Sequence, residues 1–170
     1  MGNYANFLRR IRKDYDKAEE HYQKALALEP ESANSNSSHA IFLTNIRKDY
    51  DKAEEYYQKA LVLDPDYANY NANYAQLFLI TSRKSEAERY MKIAFANMDT
   101  EKDLALELWF YRLAHYPEFF EQAKKEFDRL LAEGHKSLHW NLDDNIKQAE
   151  KDGFKDIQLL EDYAKKITQE

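Results

Sequence analysis

The 170-residue chain contains no cysteine. Disulfides, thiolate nucleophiles and thiolate metal sites are excluded together, and the chain suits a reducing, cytoplasmic setting. Glycine and proline are scarce, with three of each. Both break helices and punctuate turns, and strand-rich folds use more of them; their rarity points to long helices on short connections. No apolar run approaches the roughly 20 residues that span a bilayer, so no membrane partner is expected. The opening Met1-Gly2-Asn3-Tyr4-Ala5-Asn6 lacks the basic start and apolar stretch of a secretory signal. A basic surplus is missing too. Residues 1–99 carry 14 Lys+Arg against 15 Asp+Glu, and the remainder carries 11 against 16, within a net charge of −6. Neither part looks like a polyanion binder, and nucleic acid is not expected as a partner.

What is abundant is repetition. Residues 11–31 read IRKDYDKAEEHYQKALALEPE and residues 46–66 read IRKDYDKAEEYYQKALVLDPD, identical at 17 of 21 positions at an offset of 35. Upstream, Tyr4-Ala5-x-Phe7-Leu8 matches His39-Ala40-x-Phe42-Leu43 at the same offset. A worn third copy follows: Asn69–Leu79 repeats Asn34–Thr44, and Ala87-Glu88-x-Tyr90 repeats Ala53-Glu54-x-Tyr56. Between those matches the offset falls from 35 to 34, so one residue is lost near Ile80–Lys84. Each unit reads as two helices. The first carries Ala40, Phe42, Leu43 and Ile46. The second opens after Asp49, whose carboxylate suits an N-cap, and runs Tyr50, Ala53, Tyr57, Ala60 and Leu61 along one stripe. Pro65 closes it. Asp14, Tyr15, Ala18, Tyr22, Ala25 and Pro30 do the same in the first unit. With 13 Tyr and 9 Phe, aromatic rings are expected to fill the space between helices.

These residues resemble the tetratricopeptide repeat family over about residues 3–96. Ala18, Ala25, Ala53, Ala60, Ala87 and Ala94 stand where that family lets helices approach closely. Tyr22, Tyr57 and Met91 stand at its large packing site, and Pro30 and Pro65 at its closing proline. An extra residue between the paired helices of the first two units, and Asn36 and Asn71 where the family often has Trp, depart from the pattern. The resemblance implies an all-α, right-handed superhelical solenoid of antiparallel helix pairs. Three repeats are expected, at about 1–32, 33–67 and 68–97. A degenerate fourth unit and a C-terminal helical cap over 97–170 continue the same domain. Within that last stretch, Thr100-Glu101-Lys102-Asp103 can cap a helix through Leu113, Pro117 suits the first turn of the next, and Gly134 ends it. Helices at Leu138–Asp152 and Phe154–Ile167, parted by Gly153, complete the expectation.

The resemblance further implies a non-catalytic protein–protein interaction adaptor or scaffold with a peptide-binding groove and no cofactor. By the family pattern, the groove positions fall on Asn6, Arg9 and Arg10; on Asn34, Ser37, Ile41, Thr44 and Asn45; and on Asn69, Ala72, Gln76, Leu79 and Ile80. Their Asn and Gln side chains can both donate to and accept from an extended peptide; the alternative is a solvated polar surface. The family's clamp for a terminal carboxylate is absent: only Asn6 matches its place, while Gly2, Ser38, Asn69 and Asn73 occupy the others. With no helix expected before them, Tyr4, Phe7 and Leu8 form a candidate self-association edge. A second reading is therefore a structural spacer or self-assembly module, and a third is RNA binding.

Other candidates have plainer alternatives. His135, His139 and Asp143 are spaced four apart, as zinc ligands on one helix face would be, but Gly134 and Ser137 suggest that the helix starts too late to include His135. His21 and His115 read as replacements for packing aromatics. The basic run Arg9, Arg10, Arg12 and Lys13, echoed by Arg47 and Lys48, reads as a solvated helix end. Glu19-Glu20 and Glu54-Glu55 are adjacent on a helix and diverge by about 100°, so they are poorly placed for acid–base work. No nucleophile–base pattern or phosphate loop is present, and an enzyme is not expected.

Overall fold

Every regular element among the described residues is helical, as the shortage of glycine and proline predicts. The computed structural model describes residues 2–98, 102–138 and 140–168. In chain order the α-helices are α1 (Gly2–Phe7), α2 (Tyr15–Leu28), α3 (Ala33–Phe42), α4 (Tyr50–Leu63), α5 (Ala68–Ile80), α6 (Lys84–Asn97), α7 (Lys102–His115), α8 (Phe120–Ala132), α9 (Asp143–Lys151) and α10 (Ile157–Thr168). They fall into two compact units, Met1–Tyr74 and Ala75–Glu170, divided within α5. No helix among the described residues is long and apolar enough to cross a membrane.

In the first unit, α1 packs on α2, α2 on α3, and α3 on α4. Asp14 and Asp49 cap α2 and α4, each accepting from a backbone N–H three residues on, Lys17 at 3.3 Å and Lys52 at 3.4 Å. An unpaired donor at the helix start is thereby satisfied. The stripe expected from spacing is the buried one: Ala18, Tyr22 and Ala25 in α2, and Ala53, Tyr57 and Ala60 in α4. The alanines keep the helices close, and the tyrosines carry the contact to the next repeat. Tyr22 meets Phe42 and His39 of α3 with ring centres 5.3 and 5.7 Å apart, and Tyr57 stacks on Tyr74 of α5 at 5.4 Å. Burying one large apolar side chain in this way is worth about 1.5–3 kcal/mol.

The residue that the third repeat lacks has a structural counterpart. After α1 and α3 the chain makes a π-helical turn, Leu8–Arg12 and Leu43–Arg47. Lys13 and Lys48 then turn left-handed, at φ 54° and 57°. The N–H groups of Asp14 and Asp49 close back on the carbonyls of Leu8 and Leu43, at 3.1 and 3.2 Å. In the third repeat α5 stays α-helical to Ile80, Ser82 takes the left-handed place at φ 63°, and the N–H of Arg83 reaches the carbonyl of Phe78 at 2.8 Å. Leu8, Leu43 and Phe78 are equivalent positions, so the insertion is absorbed as one wider helical turn, not as a loop.

Asn36 and Asn71 also find their reason. Both are buried, and each amide fastens the turn that precedes its own helix: Asn36 Nδ2 donates to the carbonyls of Pro30 (3.0 Å) and Ser32 (2.9 Å), Asn71 Nδ2 to those of Pro65 (2.9 Å) and Tyr67 (3.0 Å). A buried amide that closes two carbonyls replaces the packing of a large ring with polar clamping.

In the second unit, Phe127 of α8 joins Phe110 of α7 (6.3 Å) and Tyr163 of α10 (4.6 Å). Pro117 opens a short 3₁₀ turn, Pro117–Phe119, ahead of α8. Gly134 and Gly153 take positive φ, 85° and 92°, where helices stop. Thr100 and Glu101, expected to cap α7, lie outside the described residues. Two helix starts are corrected: the helix expected from Leu138 begins at Asp143, and the one expected from Phe154 begins at Ile157. The stretch before α9 is held by two longer-range bonds and a local one instead. The N–H of Ser137 donates to the carbonyl of Ile167 (2.8 Å), its hydroxyl donates to buried Glu107, and Asn141 accepts from the N–H of Asp143 (2.9 Å).

Candidate functional site

The first helices of successive repeats carry equivalent positions 35 residues apart, which sorts the expected groove residues into rows. Asn6, Ile41 and Gln76 make one row, Arg9, Thr44 and Leu79 a second, and Arg10, Asn45 and Ile80 a third. Asn34 pairs with Asn69, and Ser37 with Ala72. Arg10 and Asn34 are exposed, and Asn6, Arg9, Ile41, Asn45, Asn69 and Ile80 are half-buried. Ser37, Thr44, Ala72, Gln76 and Leu79 are buried, and the expectation that these five face a ligand is corrected.

The burial has local causes. Thr44 turns its hydroxyl back to the carbonyl of Ala40 at 2.9 Å. Gln76 spends its amide inside the second unit, donating to the carbonyl of Asn141 and to Asn145 Oδ1, both at 2.9 Å. Ser37, Ala72 and Leu79 are closed over by their neighbours.

What stays at least half open is Asn6, Arg9, Arg10, Asn34, Ile41, Asn45 and Asn69 in the first unit, and Ile80 in the second. Tyr22 donates its hydroxyl to Asn6 Oδ1 at 2.7 Å, which fixes the amide on this face. Arg9 lies beside Tyr22. Burial raises the pKa of that phenol and the Arg9 charge opposes the rise; the same charge reaches Tyr57, whose pKa burial also raises. Arg9 Nε is shut from solvent without a hydrogen-bond partner. Although Arg10 is exposed as a residue, partial desolvation of its guanidinium first and the like charge of Arg9 second lower its pKa. Two neighbouring guanidinium groups favour a carboxylate or a run of carbonyls.

Sequence models described as tetratricopeptide repeat match residues 1–34 and residues 46–67. The chain carries tetratricopeptide repeats over those residues. Such repeats are generally protein–protein interaction modules and typically non-catalytic, which supports an adaptor or scaffold role. Both matches lie within the first unit, the part with the open face. No curated relative matches the chain.

Around the tetratricopeptide repeats, the remaining candidates fall into place. Tyr4 and Phe7 are exposed and rest on one another, ring centres 6.1 Å apart, whereas Leu8 is buried and leaves the expected edge. His21 meets Tyr4 edge-on at 4.8 Å, in the role of a packing ring. His135 lies 3.5 Å from Glu133 and 3.8 Å from Asp103. His139 lies outside the described residues, and Asp143 belongs to a helix that begins only there; among the described residues no three His, Asp or Glu side chains are grouped to hold a metal.

Sequence reading missed the buried polar chain of the second unit. Asn145 bridges Gln76 and His115, with 3.2 Å between Asn145 Nδ2 and His115 Nε2, and Gln148 donates to Ser82 Oγ and Asp152 Oδ1 at 2.8 Å each. Burial foremost, with Lys84 adding to it, lowers the His115 pKa to about 4. Nothing in the spacing of these residues announces the chain. Asn36 and Asn71 did carry a signal, since the same polar residue recurs at the repeat offset.

Proposed function

We propose that the protein is a non-catalytic cytoplasmic adaptor that holds a segment of another protein against the open face of its first two repeats. Asn6, Arg9, Arg10, Asn34, Ile41 and Asn45 make the contact, and Asn69 extends it toward the third repeat. This reading takes the chain as three repeats to about residue 97 with the remainder as a cap. The observation that supports it best is the paired Arg9 and Arg10 beside the Asn6 amide that Tyr22 fixes. The face suits an extended segment that offers carboxylates and backbone carbonyls, with Ile41 as an apolar contact. Micromolar affinity, about −8 kcal/mol, is within reach of a few such anchors.

A peptide array probed with the intact chain tests the reading. Acidic, extended peptides should be retained, and Arg10→Glu with Asn45→Ala should remove them while the melting temperature stays unchanged. Retention that is indifferent to both substitutions would sink the assignment.

A further inference from the structure

Successive helices in this protein are joined by a recurring device. Glu19, Glu54 and Glu88 occupy the same repeat position in α2, α4 and α6, and each receives a donor from the following first helix. Arg47 Nε donates to Glu19 at 2.8 Å, and its Nη2 donates to Asp16 at 2.6 Å. The Tyr74 hydroxyl donates to Glu54 at 3.0 Å. Arg112 holds Glu88 with both terminal nitrogens, Nη2 at 2.9 Å. At the α2–α3 contact the device includes rings: Tyr22 lies against His39 and Phe42, and the Arg47 guanidinium stands 5.4 Å from the centre of the Phe42 ring.

The first helix of repeat one carries the receiving half of the device. Tyr4, Phe7, Ile11 and Arg12 stand 35 residues before His39, Phe42, Ile46 and Arg47. His39 and Phe42 are 3% and 0% exposed beneath α2, whereas Tyr4, Phe7 and Ile11 are 52%, 42% and 65% exposed. Arg12 is exposed and meets no carboxylate among the described residues, while its counterpart Arg47 holds two. Asp14, the nearest acid in sequence, is engaged by Lys17 at 3.0 Å.

We propose that Tyr4, Phe7, Ile11 and Arg12 form a docking face for an acidic amphipathic helix of the pattern Asp-x-x-Glu-x-x-Tyr, bound as α2 is bound by α3. The pattern is that of Asp16, Glu19 and Tyr22. The two acids receive Arg12, the aromatic residue covers Phe7, and an alanine between them permits close approach. Tyr4 occupies the repeat position of Tyr74, so its hydroxyl can donate to the same Glu as Tyr74 donates to Glu54. Lys13, exposed next to Arg12 in sequence, adds positive charge and selects against a basic helix. This face is separate from the open face of Asn6, Arg10 and Asn45 and stands whether or not that face binds a peptide.

The test uses the full-length chain and a fluorescent synthetic peptide of residues 14–28. A side-chain cross-link between positions 20 and 24 holds the peptide helical, because a free helix this short is marginal in water. Anisotropy should rise on titration. Arg12→Glu should weaken binding about tenfold or more, the equivalent of 1.4 kcal/mol, without moving the melting temperature. A peptide with Asp16→Lys and Glu19→Lys should bind the Arg12→Glu chain better than the wild type. If the chain self-associates and Arg12→Glu abolishes that, a second copy supplies the helix and the face is confirmed. Three results would overturn the proposal: no peptide binding, binding indifferent to Arg12→Glu, or binding lost only on Arg10→Glu with Asn45→Ala.

Discussion

The two units are built of the same element and held by different chemistry. In Met1–Tyr74 the cohesion repeats: alanines at close helix contacts, a buried Tyr per repeat, an Asp cap and an Asn clamp, each recurring 35 residues on. In Ala75–Glu170 an aromatic core around Phe127 is joined by polar bonds that occur once, linking Gln76, Asn145 and His115, and Ser137 with Glu107. Recurring apolar contacts tolerate drift, because each depends only on its neighbours. A buried polar chain does not, because losing one member strands the others. The regular unit is therefore the one that can leave a face open for partners.

The largest expected effects come from removing each unit's main ring. Tyr57→Ala and Phe127→Ala should each cost about 3–5 kcal/mol, at roughly 2–4 °C of melting temperature per kcal/mol for a chain of this size. Urea titration that shows two transitions, each variant shifting only its own unit's, would sharpen the contrast; equal shifts of a single transition would erase it.

Acid comes next. Burial lowers the pKa values of His39, in the first unit, and His115, in the second, to about 4 from an ordinary 6.5. The unfolded chain thus binds protons that the folded one refuses. Stability from each is fully present above about pH 6.5 and is lost as pH falls toward 4, on the order of 3 kcal/mol per histidine. His39→Tyr, the residue found at Tyr74 in the next repeat, should flatten the first unit's share, as measured by urea midpoints at pH 7 and pH 5.

Smaller and more diagnostic is a pair of single changes. Asn145→Ala should cost about 1–3 kcal/mol by stranding Gln76 and His115, whereas Asn45→Ala on the open face should stay within about 0.5 kcal/mol. Calorimetry that finds the two equal would mean that the buried chain contributes no more than a surface amide. The smallest effect belongs to the widened turn. Lys48→Gly should be neutral to stabilising by less than about 1 kcal/mol, since glycine takes positive φ without a Cβ penalty; clear destabilisation would show that the Lys48 side chain, not its backbone, matters there.

Much of the first unit was legible because its information is local and written twice. Asp49 as a cap, Pro65 as a stop and the Ala53–Tyr57–Ala60 stripe follow from spacing and propensity, and the lost residue near Ile80–Lys84 was visible as a change of offset. The open face was half legible. Repeat position gives the row, but Thr44 and Gln76 look as polar as Asn45 until their partners are known. Leu138 was expected in a helix because its composition allows one, and only the bonds from Ser137 to Ile167 and Glu107 displace the start to Asp143.

The sequence by itself determined the helix pairs and their tetratricopeptide-type repeat, because helix caps, stops and apolar periods act over a few residues. The tertiary structure alone decided which polar residues are spent inside and which remain outside, because a hydrogen bond from Gln76 to Asn145 joins groups 69 residues apart. It also decided that Tyr4 and Phe7 lie bare while His39 and Phe42 do not: equivalent repeat positions differ once α2 stands over one pair and no described residue buries the other.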